Sequence, residues 1–283
     1  MSAPARSFAR GRVVAAVLGG SLLLLFVVPV IAILTFAPPT EIFDAANQSG
    51  VRASFAFTAL ASTYALAITL VLGVPLGYLL AGRGFPGRSV VEAFVTLPVV
   101  LPHLIAGLAL FFLFAPQAPL GRLAIAAGLP VLSTIGGVVL VMVYVSAPYT
   151  VVASQLAFRS VDARLVEAAR SLGASPSVAF VRVTLPLALR GILAGGVLSW
   201  ARSVSEIGGF LIVAYVVYPS PFYNGPVTTP ASVYIYNLYQ ISDTAGAASV
   251  ASLFVLGALA VFLIVRAVER SGRLPWVGRR LPG

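Results

Sequence analysis

The feature that most restricts this chain is its uncharged apolar runs. Val13 to Phe36 carries no charged side chain, and about 20 apolar residues suffice for a helix to cross the hydrocarbon core of a bilayer. Further apolar runs, not all of them free of charge, occupy about 55–81, 91–115, 135–157, 187–215 and 245–265. Backbone polar groups in lipid must be satisfied within the segment, so each run is expected to be a helix. The chain is 59% hydrophobic and 9% charged, against about a quarter charged in soluble proteins. The predicted fold is an all-α integral membrane protein of about six transmembrane helices, a single transmembrane domain over residues 1–283. The first run exceeds the roughly 7–15 apolar residues of a cleaved signal peptide, so it reads as a retained span.

Composition removes whole classes of chemistry. All 18 basic residues are arginine. A P-loop needs its lysine on the nucleotide phosphates, so any ATP-driven step belongs to another polypeptide, and Schiff-base catalysis is excluded. With no cysteine and one histidine, neither a thiolate metal site nor a His-x-x-x-His zinc helix can form, and no metal site is expected. No Gly-x-Ser-x-Gly elbow is present.

The arginines fix an expected topology. With the N-terminus inside, the inner segments hold Arg6, Arg10 and Arg12; Arg83 and Arg88; Arg159, Arg164, Arg170, Arg182 and Arg190; and Arg266, Arg270, Arg273, Arg279 and Arg280. The outer segments hold only Arg52 and Arg122, and Arg202 lies within a span. This is a positive-inside distribution. It predicts a multi-pass protein of the cell membrane with both termini and the segment 158–186 in the cytoplasm. It also accounts for the +10 charge without nucleic acid.

Segment 158–186 holds the longest stretch that a bilayer cannot accept, Asp162 to Pro186. Leu165, Ala168, Ala169 and Leu172 are spaced for one apolar helix face. Gly173 stands where a helix C-cap needs a left-handed residue. Ser175-Pro176 reads as an N-cap followed by proline in the first turn, and the second helix is predicted to stop before Pro186. A soluble helical hairpin, even a DNA-binding one, would share these traits. Glu167-Ala168-Ala169, then Gly173, then Val183-Thr184-Leu185-Pro186 resembles the cytoplasmic EAA loop of type I ABC importer permeases, with Val183 in place of isoleucine. That resemblance implies a helix-turn-helix coupling loop docking on a separate ABC ATPase, with Asp162, Leu165, Glu167, Ala168, Ala169, Gly173, Leu185 and Pro186 as its coupling residues. It further implies a homodimer, an extracytoplasmic substrate-binding protein, and ATP with Mg on the partner ATPase rather than on this chain.

Charges also lie inside the apolar runs. Arg202 and Glu206, four apart, are predicted to share one helix face about 20 Å into the fifth span at 1.5 Å per residue. They form either a self-satisfied ion pair that locks packing or part of the wet pathway or gate. Ala201-Arg202, Ser205-Glu206 and Gly208, together with Leu101-Pro102-His103, Ala106 to Leu110, Ile212 to Tyr215 and Thr229-Pro230, are similar to the sulfate, molybdate and tungstate branch of these permeases. Pro102-His103 leans toward tungstate-type members. The resemblance implies import of a tetrahedral oxyanion, molybdate or tungstate first and sulfate as the alternative, with Arg202, Ser205, Glu206 and His103 at the pathway. His103 either contributes a donor near the cavity or bonds a backbone carbonyl. The rival classes are a passive anion channel and an intramembrane enzyme. The latter would have only Arg202, Glu206 and His103 to work with.

Three further readings concern the remaining segments. Pro75, beside Gly73 and Gly77, is expected to kink the second span. Pro98 and Pro102 should expose backbone carbonyls toward protein or a wet cavity rather than lipid. The proline- and tyrosine-rich segment 219–239 reads either as an interfacial aromatic belt or as a docking surface. Segments 37–53, 116–132 and 219–243 are predicted to be loops.

Overall fold

A computed structural model of the chain describes residues 3–82, 84–218 and 227–270, with side chains from residue 12 to 267 of that range. Arg83, Arg273, Arg279, Arg280 and segment 219–226 of the tyrosine-rich region lie outside the described residues. In chain order the helices are α1 (Ala3–Phe36), α2 (Pro39–Asn47), α3 (Ser49–Ala81), α4 (Arg88–Val100), α5 (His103–Phe114), α6 (Pro119–Ala126) and α7 (Ile135–Arg159). There follow α8 (Ala163–Ser171), α9 (Pro176–Ala179), a π-turn (Phe180–Thr184), α10 (Leu185–Val204), α11 (Gly208–Val213), α12 (Ala231–Gln240) and α13 (Thr244–Arg270). Among the described residues there is no strand, only one antiparallel bridge between Val217 and Thr228. Among the described residues five helices are long and apolar enough to cross a membrane, or six spans if α4 and α5 are taken together as one.

Four expectations change. The third run is not one kinked helix. It is two helices bent by 115°, because Leu101, preceding a proline, is extended at ψ 133° and Pro102 can only start a new helix. The second helix of the charged segment does not stop before Pro186, since Pro176–Val204 is one apolar helical stretch. The π-turn supplies the reason. The Leu185 N–H reaches back to the Phe180 carbonyl, widening the turn into which the proline ring would otherwise press. The fifth run ends at Val204 and resumes as α11, so it is not continuous to Tyr215. Finally, α2, α6 and α12 lie within predicted loops. α2 and α6 begin with proline in the first turn, where its missing N–H has no helical partner to lose.

The chain divides into two compact units. One comprises Met1–Gln48 and Ile235–Ala260. There α1 presents apolar side chains outward along its whole described length, a surface tolerable in lipid and not in water. The Ser252 hydroxyl of α13 donates to the Ile33 carbonyl of α1 at 3.0 Å.

The other unit, Ser49–Tyr234 with Val261–Gly283, holds every predicted site residue. Its core surrounds Phe57, Met142, Phe210, Val138, Val141 and Val213, all buried. α7 runs through its middle, seamed to α3 and α10 by small residues. A methyl placed on Gly77 would lie 2.7 Å from both Ser154 Cβ and the Val151 carbonyl oxygen, and one on Gly191 would lie 2.6 Å from Ala157 Cβ. Lipid supplies no hydrophobic drive between helices, so close backbone approach through small residues takes its place. Gly77→Val is expected to lower unfolding stability by about 1–3 kcal/mol through overpacking. A thermal unfolding midpoint in detergent equal to wild type would show that the seam is loose.

Candidate functional site

Two regions carry the candidate residues. The first is the segment from Asp162 to Pro186. The Asp162 carboxylate caps α8, accepting from the Arg164 N–H at 2.9 Å and from the Arg164 guanidinium at 2.9–3.2 Å. These bonds, the guanidinium foremost, hold its carboxyl below the usual carboxylate range. The cap is therefore present at neutral pH and is lost as pH falls through that depressed value. α8 closes on Gly173 at φ +89°. The Gly173 N–H reaches the Arg170 carbonyl at 3.0 Å and the Ala174 N–H reaches Ala169 at 3.1 Å, a Schellman-type end. The Ser175 hydroxyl then caps α9 through the Val178 N–H at 3.4 Å.

None of the α8 residues is buried. Leu165 is 49% and Leu172 90% exposed, and Glu167 and Ala168 also face outward. The predicted apolar stripe thus exists, but this chain does not cover it. Leu185 and Pro186 differ, because they belong to the start of α10, where Leu185 packs toward Phe158, Ala188 and Ile192. Rings anchor the far side of the segment. Tyr78 stands edge-on to Phe158 at 5.1 Å and to Phe180 at 4.8 Å between centroids.

The second region lies where α10 breaks. Arg202 sits in the last turn of α10, not midway along a span, so its cation faces the negative end of the helix dipole. Glu206 follows the helix end, and one of its carboxylate oxygens accepts the Gly209 N–H at 2.7 Å. The other accepts from the Arg202 guanidinium at 2.8 Å. The ion pair therefore forms as expected but bridges a chain break rather than riding one helix face. Glu206 is fully buried and the Arg202 side chain is 15% exposed.

His103, at the first position of α5, completes a triad. The amino group of Arg202 that bonds Glu206 also lies 2.9 Å from His103 Nε2. A guanidinium only donates, so Nε2 accepts and Nδ1 carries the ring proton, 3.4 Å from the same Glu206 oxygen. The ring bonds side chains, not a backbone carbonyl. Residues that the sequence left on separate spans are thus gathered by the α4–α5 bend and by glycine. A methyl on Gly208 would meet His103 Cβ at 2.6 Å, and one on Gly107 would meet Gly209 Cα at 2.9 Å.

The Ser205 hydroxyl donates to the Arg202 carbonyl at 3.0 Å, which commits it to ending α10. Ser232 was not foreseen. Its hydroxyl donates to the Glu206 carbonyl at 2.6 Å, and the only sequence signal was a serine beginning an aromatic helix. The second amino group of Arg202, Nη1, is buried without a hydrogen-bond partner among the described residues. Among the described residues no group of carboxylate, histidine or cysteine side chains is placed to hold a metal ion.

Residues 73–273 match the family of binding-protein-dependent transport system inner membrane components. Over 207 residues, 73% of this chain and 74% of the relative, the sequence is 36% identical to a molybdate/tungstate transport system permease protein, WtpB, of Thermococcus kodakarensis. It is 32% identical over 251 residues, 88% of each chain, to the sulfate transport system permease protein CysT of Synechococcus elongatus. Among solved structures, a bacterial alginate ABC transporter in complex with an alginate pentasaccharide-bound periplasmic protein shares the fold at TM-score 0.70 and 16% identity, covering 95% of this chain and 96% of that one.

Proposed function

The chain belongs to the family of binding-protein-dependent transport system inner membrane components, and within it we propose the role of membrane permease subunit in an ATP-driven importer for molybdate and tungstate. The observation that carries this reading is the 36% identity to a molybdate/tungstate permease across nearly three quarters of the chain. The sulfate alternative has the lower identity of the two.

The finer assignments extend that reading. The six spans and the coupling segment form one transmembrane domain. Two copies pair to form the pathway, since each offers one coupling segment and ABC ATPases work as a pair. The termini and α8 lie in the cytoplasm, as the arginine distribution supports. The exposed stripe Leu165, Ala168, Leu172, with Glu167 beside it, docks on a separate ATPase that binds ATP and Mg. A binding protein outside the membrane delivers the oxyanion. Closure of the ATPase dimer draws the coupling helices together and turns the cavity outward, and hydrolysis resets it.

At the break after α10, Arg202 contacts the passing dianion when movement of the break uncovers its spare donor, which is buried in this conformation. Glu206 and His103 hold the rest of the guanidinium in place, and Ser205 ends the helix beneath it. Arg202→Gln is expected to reduce uptake at least about tenfold, in line with losing a charge-assisted contact of about 1.5–3 kcal/mol, and to lower the folded yield as well, since it strands the buried Glu206 carboxylate. Uptake equal to wild type would leave the triad a packing lock only.

The decisive measurement is uptake of labelled molybdate in cells lacking their own oxyanion importers. They would express this chain with an ATPase and a binding protein of the same system. Uptake that needs ATP and all three proteins, and that tungstate but not excess sulfate competes away, is expected. Competition by sulfate would move the chain to the sulfate branch, and uptake without ATP would make it a channel.

A further inference from the structure

Glu92 has no place in the coupling segment or in the triad, yet its carboxylate is engaged by its own helix and by α7. One of its oxygens accepts from the Arg88 side chain at 3.0 Å and from the Gln155 side-chain amide at 2.7 Å. Arg159 stands 3.5 Å from the same oxygen. The Gln155 amide also donates to the Leu80 carbonyl at 3.2 Å, as does Arg159 at 3.2 Å. Leu80 is in the last turn of α3, where carbonyls have no helical partner. Both hydrogens of the Gln155 amide are thereby used, one on α3 and one on α4, from a position on α7 that is 7% exposed. On the near side Arg88 donates to the Gly82 carbonyl at 3.2 Å.

The placement of this knot gives it a use. Arg159 is the last residue of α7, and only Ser160, Val161 and Asp162 separate it from α8. Glu92 lies on α4, whose other end is the 115° bend that delivers His103 to Arg202 and Glu206. The exit of the coupling segment is gripped at the same level, through Phe158 on α7 against Tyr78 and Phe180. A displacement of α8 therefore bears on α7 at the residues that hold α4. Arg88 and Glu92 alone would be a four-residue pair in the less favourable order for a helix. The interhelical bonds, not that pair, give Glu92 its setting.

We propose that Glu92, with Gln155 and Arg159, is the latch that carries movement of the coupling segment to α4, and through the bend to His103. These are positioning residues. The inference rests on the transport reading above, and the experiment separates the two. The full importer (this chain with its ATPase and binding protein) is reconstituted in phosphatidylethanolamine/phosphatidylglycerol liposomes, and molybdate imported per ATP hydrolysed is measured.

Glu92→Leu and Gln155→Leu are expected to lower that ratio about fivefold or more, the lower range of typical coupling between sites, with the ATPase still bound. Glu92→Leu carries a folding risk, so Arg159→Gln, at a half-exposed position, is read in parallel. The double variant Glu92→Gln with Arg159→Gln should lose no more than the worse of Glu92→Gln and Arg159→Gln measured singly, as members of one network do. Import and hydrolysis falling together at a constant ratio, or losses that simply add, would overturn the latch. No import by the wild-type assembly would overturn the transport reading and the latch with it. Wild-type import with the ratio unchanged in the variants would overturn the latch alone.

Discussion

Glu206→Ala is expected to be among the most damaging single changes to this protein. Glu206 is fully buried and binds the Arg202 guanidinium at 2.8 Å and the Gly209 N–H at 2.7 Å. Its removal strands a largely buried cation and a backbone donor at once. Breaking one side of a buried pair costs about 3–5 kcal/mol because the surviving charge keeps its desolvation penalty. The expected result is a sharp fall in the amount of chain recovered folded from the membrane, with no uptake. Glu206→Gln keeps an acceptor for Gly209 and should fall between. Replacing both partners, as Arg202→Leu with Glu206→Leu, should recover much of the folded protein without recovering uptake, since the charge imbalance is gone and so is the donor. A Glu206→Ala chain as abundant and as thermally stable as wild type would contradict this account.

Gly173→Pro and Glu167→Lys are expected to abolish transport by a different route. Gly173 has φ +89° and its N–H bonds the Arg170 carbonyl. Proline fixes φ near −65° and has no N–H, so the turn between α8 and α9 cannot close, at a cost of about 3 kcal/mol or more. A Cβ at this position meets nothing within 4 Å. Asparagine, which tolerates left-handed backbone, should therefore be far milder than proline, and the contrast isolates conformation from crowding. Glu167→Lys reverses a charge on the outward face of α8 and should leave this chain's own packing intact, because none of the α8 residues is buried. Both variants should appear in the membrane fraction at wild-type level with uptake at background. Normal uptake by both would remove the coupling role from the segment.

Most of the spans were legible because lipid leaves the backbone one solution. Uncharged runs of the right length predict helices, and α1, α3, α7 and α13 lie close to where those runs end. The turn at Gly173 was equally legible, since capping is a local matter of a few residues. The two broken spans were not. Hydropathy averages over a window and sees Leu101-Pro102 or Ser205 to Gly208 as apolar enough to continue, whereas the break is decided by one extended residue before a proline and by a carboxylate that caps the next helix. The same blindness kept His103 apart from Arg202. Only the bend, invisible in spacing, and the absence of side chains at Gly208 and Gly209 bring them within hydrogen-bond distance. Glu92 escaped notice because its partners Gln155 and Arg159 lie more than 60 positions away and carry no motif.

The π-turn at Phe180–Thr184 sets a phase between two halves of one long helix. An α-helix advances about 100° per residue, from 3.6 residues per turn, so the one residue that a π-turn adds to its loop turns everything before it by about that angle relative to everything after it. Downstream, Gly191 and Gly195 lock α10 against Ala157 and Ala153 and fix the azimuth of Arg202. Upstream, Ala179 is buried and Phe180 packs on Tyr78 and Phe158, whereas α8 has no buried residue. Losing one residue within 181–184 would thus leave the seam and the triad in register only if α8 and its exposed stripe turned by about a quarter-turn, against the ring contacts of Phe180. The segment behaves as a vernier: its length, more than its composition, sets the direction in which the exposed face of α8 points.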